Sequence, residues 1–341
     1  MCAQLFEPNR RKVLLSDLAR PIAVGLINNM PDAALKSTER QFRELLQSAA
    51  GNRPLSLRVF SIPGLERSDA ARRHVDENHE DIAGLWDAAL DGLIVTGAEP
   101  RAANLDDEPY WPTLARLIDW AAEHTTATVW SCLAAHAAVY HLDRIERCPR
   151  GAKLSGVFDC VRVAEHPLVT LGTARWRTPH SRFNGLSEEA LVARGYRILS
   201  RAAGAGADIF IKRQKSLFVF LQGHPEYDAG ALLREYRRDV GRYLAGERDD
   251  YPDMPTGYFD AATADALLGF REQAMRQRDA ELLPGFQLLM AEQTVSDPWR
   301  PAAVRLFANW LSLLAEGRSA PLGSAAPLVR GRRSRDARAY G

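Results

Sequence analysis

The sequence predicts an α/β protein built around a parallel β-sheet. Short apolar runs alternate with longer segments whose apolar residues recur at helical spacing. This alternation is typical of parallel strands joined by right-handed helical crossovers. The chain has 341 residues, of which 46% are hydrophobic and 26% are charged, so it is long and apolar enough to bury a substantial core.

Four apolar runs in the first half predict buried strands, because each is short and bounded by Pro, Gly, Asn or polar residues. They cover residues 21–27, 56–62, 91–97 and 127–130. Helical spacing predicts helices over 36–50, over 110–123 and from 131 to 141.

The second half predicts a hairpin followed by helices. Residues 208–212 and 216–223 are apolar and joined by a short polar turn, which is typical of antiparallel strands. Helical spacing returns over about 229–245, 261–278 and 302–315, and residues 246–260 have the composition of a loop. We therefore expect an N-terminal extension (1–20), one domain (21–317) whose part from about 261 is helical, and a disordered basic tail (318–341).

Charge and hydropathy exclude several classes of partner. The net charge is +1, which provides no field to attract nucleic acid or an anionic membrane. No apolar run approaches the roughly 20 residues that span a bilayer. The N-terminus lacks the long apolar region of a signal peptide. A cytoplasmic location is the expectation.

The four cysteines predict neither a disulfide framework nor a structural metal site. None of them forms a CxxC pair, and no histidine lies at zinc-ligand spacing from them. At least one thiol could therefore have a reactive role rather than a structural one. The four are Cys2, Cys132, Cys148 and Cys160.

Cys132 follows the fourth predicted strand and precedes a predicted helix. Open α/β sheets place their active sites at this end of their strands. The helix N-terminus favours a thiolate, and its free N–H groups can stabilise an oxyanion. A buried cysteine that packs as a small apolar residue is also common. Position alone leaves both interpretations open.

His224 and Glu226 provide what a cysteine nucleophile requires. They directly follow the second strand of the predicted hairpin, and Pro225 between them stiffens the turn. A base must accept the proton of the thiol, and a carboxylate must orient that base. With Cys132 at the end of another strand, the three residues form a triad-like set.

The strand–Cys–helix unit and the late His-Pro-Glu resemble the class I glutamine amidotransferases and their flavodoxin-like fold. Trp130 and Ala134, however, stand where those enzymes have glycines beside the nucleophile, which argues against glutamine hydrolysis. Seven motifs resemble the homoserine O-succinyl/acetyltransferase family more closely. They follow one another in the same order as in that family, and the resemblance runs from about residue 21 to 311. They are Ile27–Pro31 (INNMP), Asp91–Ala98 (DGLIVTGA), Tyr110–Pro112 (YWP), Lys153–Val157 (KLSGV), Pro179–Arg182 (PHSR), Gly223–Asp228 (GHPEYD) and Leu306–Leu311 (LFANWL).

The resemblance implies a catalytic set. Cys132 would accept the acyl group of an acyl-CoA, His224 would be the base, and Glu226 would orient it. The amides of Ala98 and Leu133 would form an oxyanion hole. No cofactor is implied beyond the acyl-CoA substrate, and a homodimer is expected.

The resemblance also implies residues that bind the substrates. Lys153 would lie near the thioester or oxyanion, although a solvated lysine before a strand would look the same. Ser181 and Arg238 would bind homoserine, and Glu235 its amine. Because Glu235 and Arg238 are three residues apart on one predicted helix, a surface ion pair between them is an alternative.

The acyl group is predicted from the loop Thr96–Arg101, which in the family helps to select it. Arg101 occupies a position where the family has Gly in succinyl-type members and Glu in acetyl-type members. If its charge faces the pocket, it would attract the distal carboxylate of succinyl-CoA, so succinyl is expected. If Arg101 points to solvent, this argument has no force. If Glu99 turns inward, it would favour acetyl.

Three alternatives remain open. One is a glutamine amidotransferase or related hydrolase with the same triad. The second is a binding protein that kept the fold without activity. The third is an acyltransferase that uses serine instead of homoserine, since one methylene is worth only about 1–3 kcal/mol of discrimination.

Overall fold

Nine strands form one mixed sheet in this computed structural model, which describes residues 20–318 except 292 and 294. The predicted N-terminal extension and basic tail therefore lie, apart from Arg20 and Arg318, outside the described residues. The strands are β1 (Ile22–Ile27), β2 (Leu55–Phe60), β3 (Gly92–Val95), β4 (Ala127–Ser131), β5 (Cys148–Arg162), β6 (Arg175–Gly185), β7 (Arg197–Ala202), β8 (Gly206–Arg213) and β9 (Leu217–Leu221).

The order across the sheet is β2-β1-β3-β4-β9-β8-β7-β5-β6. The first five strands in this order are parallel, and each further pairing is antiparallel. The four predicted strands of the first half and the predicted hairpin are all present. The α/β class is confirmed. The expectation of a parallel sheet, however, holds for only one half of the observed sheet.

The antiparallel strands β5, β6 and β7 were not predicted. Much of β5 is exposed or half-buried, and its first part contains Pro149 and Gly151. Strand β6 alternates charged and apolar residues over only its first few positions. Neither has the continuous apolar run that marks β3 and β4, whose residues are all buried.

Helices cover both faces of the sheet. They are α1 (Asp32–Ala50), α2 (Asp69–Asn78), α3 (Trp111–His124), α4 (Leu133–Asp143), α5 (Glu188–Ala193), α6 (Ala231–Leu244), α7 (Ala261–Arg276), α8 (Leu283–Ala291) and α9 (Arg300–Arg318). The predicted helices correspond to α1, α3, α4, α6, α7 and α9. Helices α2, α5 and α8 were not predicted, and the first two are short and largely exposed. Across the part of the chain that is described, no helix combines the length and apolar character that a membrane crossing requires.

The core has two large apolar layers, one on each face of the sheet. Helices α1 and α9 pack on one face, where the rings of Phe42 and Phe307 lie 6.3 Å apart. Helices α3 and α4 pack on the other. A third, smaller cluster joins α6, α7 and α8 beside the sheet. The predicted helical C-terminal part thus divides: α7 and α8 form their own layer with α6, and α9 belongs to the central core.

The antiparallel ribbon β5–β6 folds back toward the carboxyl end of β9. The N–H of His224, just after β9, donates to the carbonyl of Pro179 in β6 at 2.7 Å. On the other side of the ribbon, Thr256 bonds to Ser155 and Val157. Gly156 permits this contact, because a Cβ there would lie 2.3 Å from the Thr256 carbonyl oxygen. The ribbon and the carboxyl ends of the parallel strands therefore line one region.

Candidate active site

Cys132 occupies a strained turn between β4 and α4. Its φ is 51° and its ψ is −111°, a conformation that non-glycine residues rarely adopt. Such strain costs on the order of 1–3 kcal/mol and concentrates at functional sites. The Cys132 N–H donates to the carbonyl of Leu221 at the end of β9, at 2.7 Å. The turn thus holds a half-buried thiol at the carboxyl edge of the sheet.

His224 and Glu226 follow β9, which pairs directly with β4. Both side chains are buried, and His224 Nδ1 lies 2.8 Å from Glu226 Oε1. The sulfur of Cys132 lies close enough to this imidazole for the two groups to interact electrostatically. Neighbouring strands therefore bring together the three residues that the sequence suggested as a catalytic set.

The charges of this set favour a protonated imidazole. Burial alone would lower the pKa of His224, but the sulfur of Cys132 and the carboxylate of Glu226 outweigh it and raise this pKa well above its usual value. An imidazolium beside a thiolate is the activated form of a cysteine nucleophile.

The other cysteines in the described residues lack such a setting. Cys160 is fully buried, and burial, followed by the charge of Asp208, raises the pKa of its thiol. Cys148 is exposed at the start of β5. Cys2 lies outside the described residues.

Two backbone amides lie beside the Cys132 turn. Within the described residues, the N–H groups of Ala98 and Leu133 have no hydrogen-bond acceptor, as expected for Leu133 at the first position of α4. Gly97 brings the two segments together, since a Cβ on it would lie 2.5 Å from the Cβ and 3.1 Å from the N of Leu133. The pair has the composition of an oxyanion hole.

A second group of polar side chains lies beside the imidazole and is called here the Glu235 cluster. Its centre is Glu235 on α6, which is close enough to His224 for the charges to interact. Burial would raise the pKa of Glu235, but the Lys153 ammonium and two hydroxyl donors lower it, so this carboxylate is anionic. The cluster comprises Glu235, Lys153, Asp239, Ser181 and Tyr227.

The ribbon supplies two members of the cluster. Lys153 of β5 places its Nζ 3.1 Å from Glu235 Oε2 and 2.9 Å from Asp239 Oδ2. Ser181 of β6 donates its hydroxyl to the same Glu235 oxygen. Lys153 is thus not a solvated surface lysine, because two carboxylates of α6 hold its ammonium. Its contact with a thioester stays a prediction.

Arg238 projects from the same helix, and its ion pair differs from the sequence-based alternative. Its Nε and Nη2 lie 2.9 and 2.8 Å from Asp239 Oδ1, so the suggested surface pair between Glu235 and Arg238 is wrong. Burial would lower the pKa of Arg238, but the charges of Asp239, Glu235 and Glu99 raise it. Among the described residues Nη1 has no partner, so part of the guanidinium can bind an anion.

Glu99 and Arg101 lie on the rim of a cavity of about 80 Å³ that Ala98 also lines. Both are exposed, and 63% of the Arg101 side chain is accessible. The Arg101 guanidinium forms an ion pair with Glu66. Because this side chain is largely exposed and engaged with Glu66, its position gives the argument from Arg101 to succinyl no support.

Tyr227 and Asp239 had no role in the sequence-based prediction. Tyr227 is part of the GHPEYD motif, and its position directly after His-x-Glu was the available signal. Asp239 lies four residues after Glu235 on one face of α6, but its partner Lys153 is 86 residues away. No local pattern reveals such a contact.

Two side-chain groups outside this site have metal-ligand chemistry. One comprises Glu39, His74 and His79, and there the Glu39 carboxylate lies 2.8–3.1 Å from both imidazoles. The other is fully buried and comprises Cys160, His180 and Asp208. The sequence predicted no metal, and neither group shares a residue with the catalytic set.

Comparison with known proteins gives a family. The family model described as homoserine O-succinyltransferase matches residues 11–318. A homoserine O-succinyltransferase of Rhodopseudomonas palustris is 49% identical over 300 residues, which cover 88% of this chain and 90% of that protein. One of Bradyrhizobium japonicum is 49% identical over 306 residues, which cover 87% of this chain and 91% of that protein.

A solved structure supports the fold. A glutamine amido transferase from Methylobacillus flagellatus has a TM-score of 0.50 and 18% sequence identity, and the match covers 86% of this chain and 96% of that chain. At this identity the similarity concerns the fold alone. It confirms the predicted glutamine-amidotransferase-like architecture.

Proposed function

This chain belongs to the homoserine O-succinyltransferase family, and on that premise we propose that it transfers a succinyl group from succinyl-CoA to the hydroxyl of L-homoserine. We further propose that the succinyl group is carried as a thioester on Cys132. The observation that carries this proposal is the Cys132–His224–Glu226 arrangement at the carboxyl ends of two neighbouring strands.

In the first half-reaction, the Cys132 thiolate attacks the thioester carbonyl of succinyl-CoA. The negative charge moves to the carbonyl oxygen, where the free amides of Ala98 and Leu133 stabilise it. Collapse of this intermediate breaks the bond to coenzyme A. The CoA thiolate takes the proton of the His224 imidazolium, and a succinyl thioester remains on Cys132.

In the second half-reaction, the homoserine hydroxyl attacks this thioester. Neutral His224 accepts the hydroxyl proton as the C–O bond forms, and Glu226 stabilises the resulting imidazolium at 2.8 Å. Cys132 leaves as the thiolate, which restores the starting ion pair. The product is O-succinyl-L-homoserine, and the kinetics are ping-pong.

The acceptor binds between the Glu235 cluster and Arg238. The free Nη1 of Arg238 suits the amino-acid carboxylate, because guanidinium–carboxylate hydrogen bonds are charge-assisted. The anionic Glu235 suits the ammonium group. Ser181 donates its hydroxyl to Glu235 Oε2, and it therefore lies beside the bound homoserine. Lys153 holds Glu235 in place through its ion pair.

The choice of succinyl rests on family membership and not on Arg101. Because Arg101 is paired with Glu66, its charge does not distinguish succinyl-CoA from acetyl-CoA. Direct comparison of the two donors is therefore part of the test.

The test is the intact mass of the protein after mixing with each acyl-CoA in the absence of acceptor. Wild type should gain one succinyl group from succinyl-CoA and lose it when L-homoserine is added. Cys132→Ala should gain nothing. Cys148→Ala is the matched control, since it removes an exposed thiol and should acylate like wild type.

Other outcomes would select other functions. A faster and larger adduct from acetyl-CoA would overturn the succinyl assignment. Release of the adduct by L-serine as readily as by L-homoserine would overturn the acceptor assignment. Absence of any adduct, with ammonia released from glutamine, would replace acyl transfer by amide hydrolysis. The expected homodimer stays a prediction.

A further inference from the structure

Tyr227 lies between the triad and the Glu235 cluster and contacts both. Its ring stacks on the imidazole of His224, with centroids 4.3 Å apart and an angle of 18° between the planes. Its hydroxyl donates to Glu235 Oε1 at 2.5 Å. One side chain thus supports the ring of the base and the carboxylate of the acceptor site.

The hydrogen bond to Glu235 has a fixed direction. Burial, followed by the charges of Glu235 and Glu226, raises the pKa of Tyr227 well above its usual value, so the phenol keeps its proton and donates. The opposite oxygen, Glu235 Oε2, is bound by Ser181 and Lys153. Tyr227 therefore completes the set of contacts that holds this carboxylate in one orientation.

The tyrosine is itself held firmly. Its side chain is buried, and its backbone N–H donates to the His224 carbonyl at 3.2 Å. Trp299 Nε1 donates to the Tyr227 carbonyl at 2.8 Å, and this tryptophan is also fully buried. A ring anchored in this way restrains the imidazole that lies against it, because both planes are nearly parallel.

We propose that Tyr227 is a positioning residue for both half-reactions, a role that rests on the proposed function. Its ring face keeps His224 aligned with Cys132 during acylation. Its hydroxyl keeps Glu235 aligned with the ammonium group of the acceptor during transfer. The two roles belong to different atoms of one side chain, so different substitutions separate them.

Tyr227→Phe keeps the ring and removes the hydroxyl. Acylation by succinyl-CoA, followed as single-turnover release of CoA thiol, should stay within about twofold of wild type. The KM for homoserine should rise by about tenfold or more, the effect expected for loss of a hydrogen bond to a charged group. Tyr227→Leu removes the ring as well, so acylation should also slow by about tenfold or more, with a shifted pH profile, since the imidazole is no longer held.

Tyr196→Phe is the matched control. Tyr196 is likewise buried and donates to a carboxylate, Asp143, at 2.6 Å, but it lies in the core on the face of the sheet that α3 and α4 cover. It should leave both half-reactions unchanged. If wild type forms no succinyl adduct, the proposed function itself fails. If wild type does, an unchanged KM for homoserine in Tyr227→Phe, or wild-type acylation in Tyr227→Leu, overturns the role of Tyr227 alone.

Discussion

At the scale of single residues, the site depends on carboxylates that are largely withdrawn from solvent and held by polar partners. Glu235 is bound by an ammonium and two hydroxyls, and Glu226 by the imidazole that it orients. A charge buried without such partners would be costly, and the group would neutralise instead. The polar partners therefore keep these carboxylates charged, which the proposed mechanism requires.

The lowered pKa of Glu235 predicts a pH-dependent contribution to stability. Because the folded-state pKa lies below the usual value of 4.5, the contribution is fully present above about pH 4.5 and is lost as the pH falls through the folded-state pKa. We expect Glu235→Gln to lower the free energy of unfolding by about 1–3 kcal/mol at pH 7, with the difference shrinking below pH 4.5. Urea denaturation of both proteins between pH 3 and pH 7 measures it.

Glu272→Gln is the control for that series. Glu272 is exposed on α7 and pairs with Arg276 at 3.8 Å. Surface pairs contribute about 0–1 kcal/mol, so this variant should follow wild type closely at every pH. A difference between Glu235→Gln and wild type that grows toward acid would contradict the expected sign of the pH dependence.

At the scale of elements, the proposed oxyanion hole depends on how β3 and α4 approach each other. Gly97 follows β3, and its missing side chain lets the backbone lie against Leu133 at the start of α4. This contact holds the backbone amides of Ala98 and Leu133 at their separation. The contact between the end of β3 and the start of α4, rather than a polar side chain, thus sets the geometry of the proposed oxyanion hole.

Gly97→Ala tests this boundary. The added methyl group would lie 2.5 Å from the Leu133 Cβ and must push the two segments apart. We expect acylation to slow by about 10²-fold, comparable to losing one oxyanion donor. Gly84→Ala, where nothing lies within 4 Å of the new Cβ, should acylate like wild type. Wild-type rates of CoA release in Gly97→Ala would refute the assignment of these amides.

The elements also explain which parts the sequence could predict. The β4–Cys132–α4 unit was predictable because a fully buried strand is largely apolar along its length, and because the apolar residues of the following segment recur at helical spacing. The pairing of His224 with Cys132 followed from two strands ending at one edge. Strands β5 and β6 were missed because they are half-exposed, and with them the true partners of Lys153, since its contact with Glu235 spans 82 residues.

At the scale of the whole molecule, α9 completes the central core. Trp310 and Leu314 pack on the start of β3, where a Cβ on Gly92 would lie 2.8 Å from the Trp310 ring and 2.5 Å from Leu314. Trp310 is 1% exposed. The helix thus supports the strand that leads to the oxyanion loop.

Trp310 should therefore contribute strongly to global stability. We expect Trp310→Ala to lower the free energy of unfolding by about 3–5 kcal/mol, because a large cavity would open between α9 and the sheet. Trp310→Phe should cost markedly less, since an aromatic ring still fills most of the space. Chemical denaturation of the three proteins measures both differences, and equal losses for the two variants would argue against a cavity as the cause.

The mixed sheet has a consequence for how such an enzyme can change its specificity. In the proposed mechanism, the thioester forms and breaks at the ends of the parallel strands, whereas Ser181 and Lys153 come from the folded-back ribbon β5–β6. Selection for a new acceptor can therefore act on the ribbon while the thiol chemistry stays intact. One part of the proposed acceptor site is thus encoded in a stretch of chain apart from the triad, and that part can evolve at its own pace.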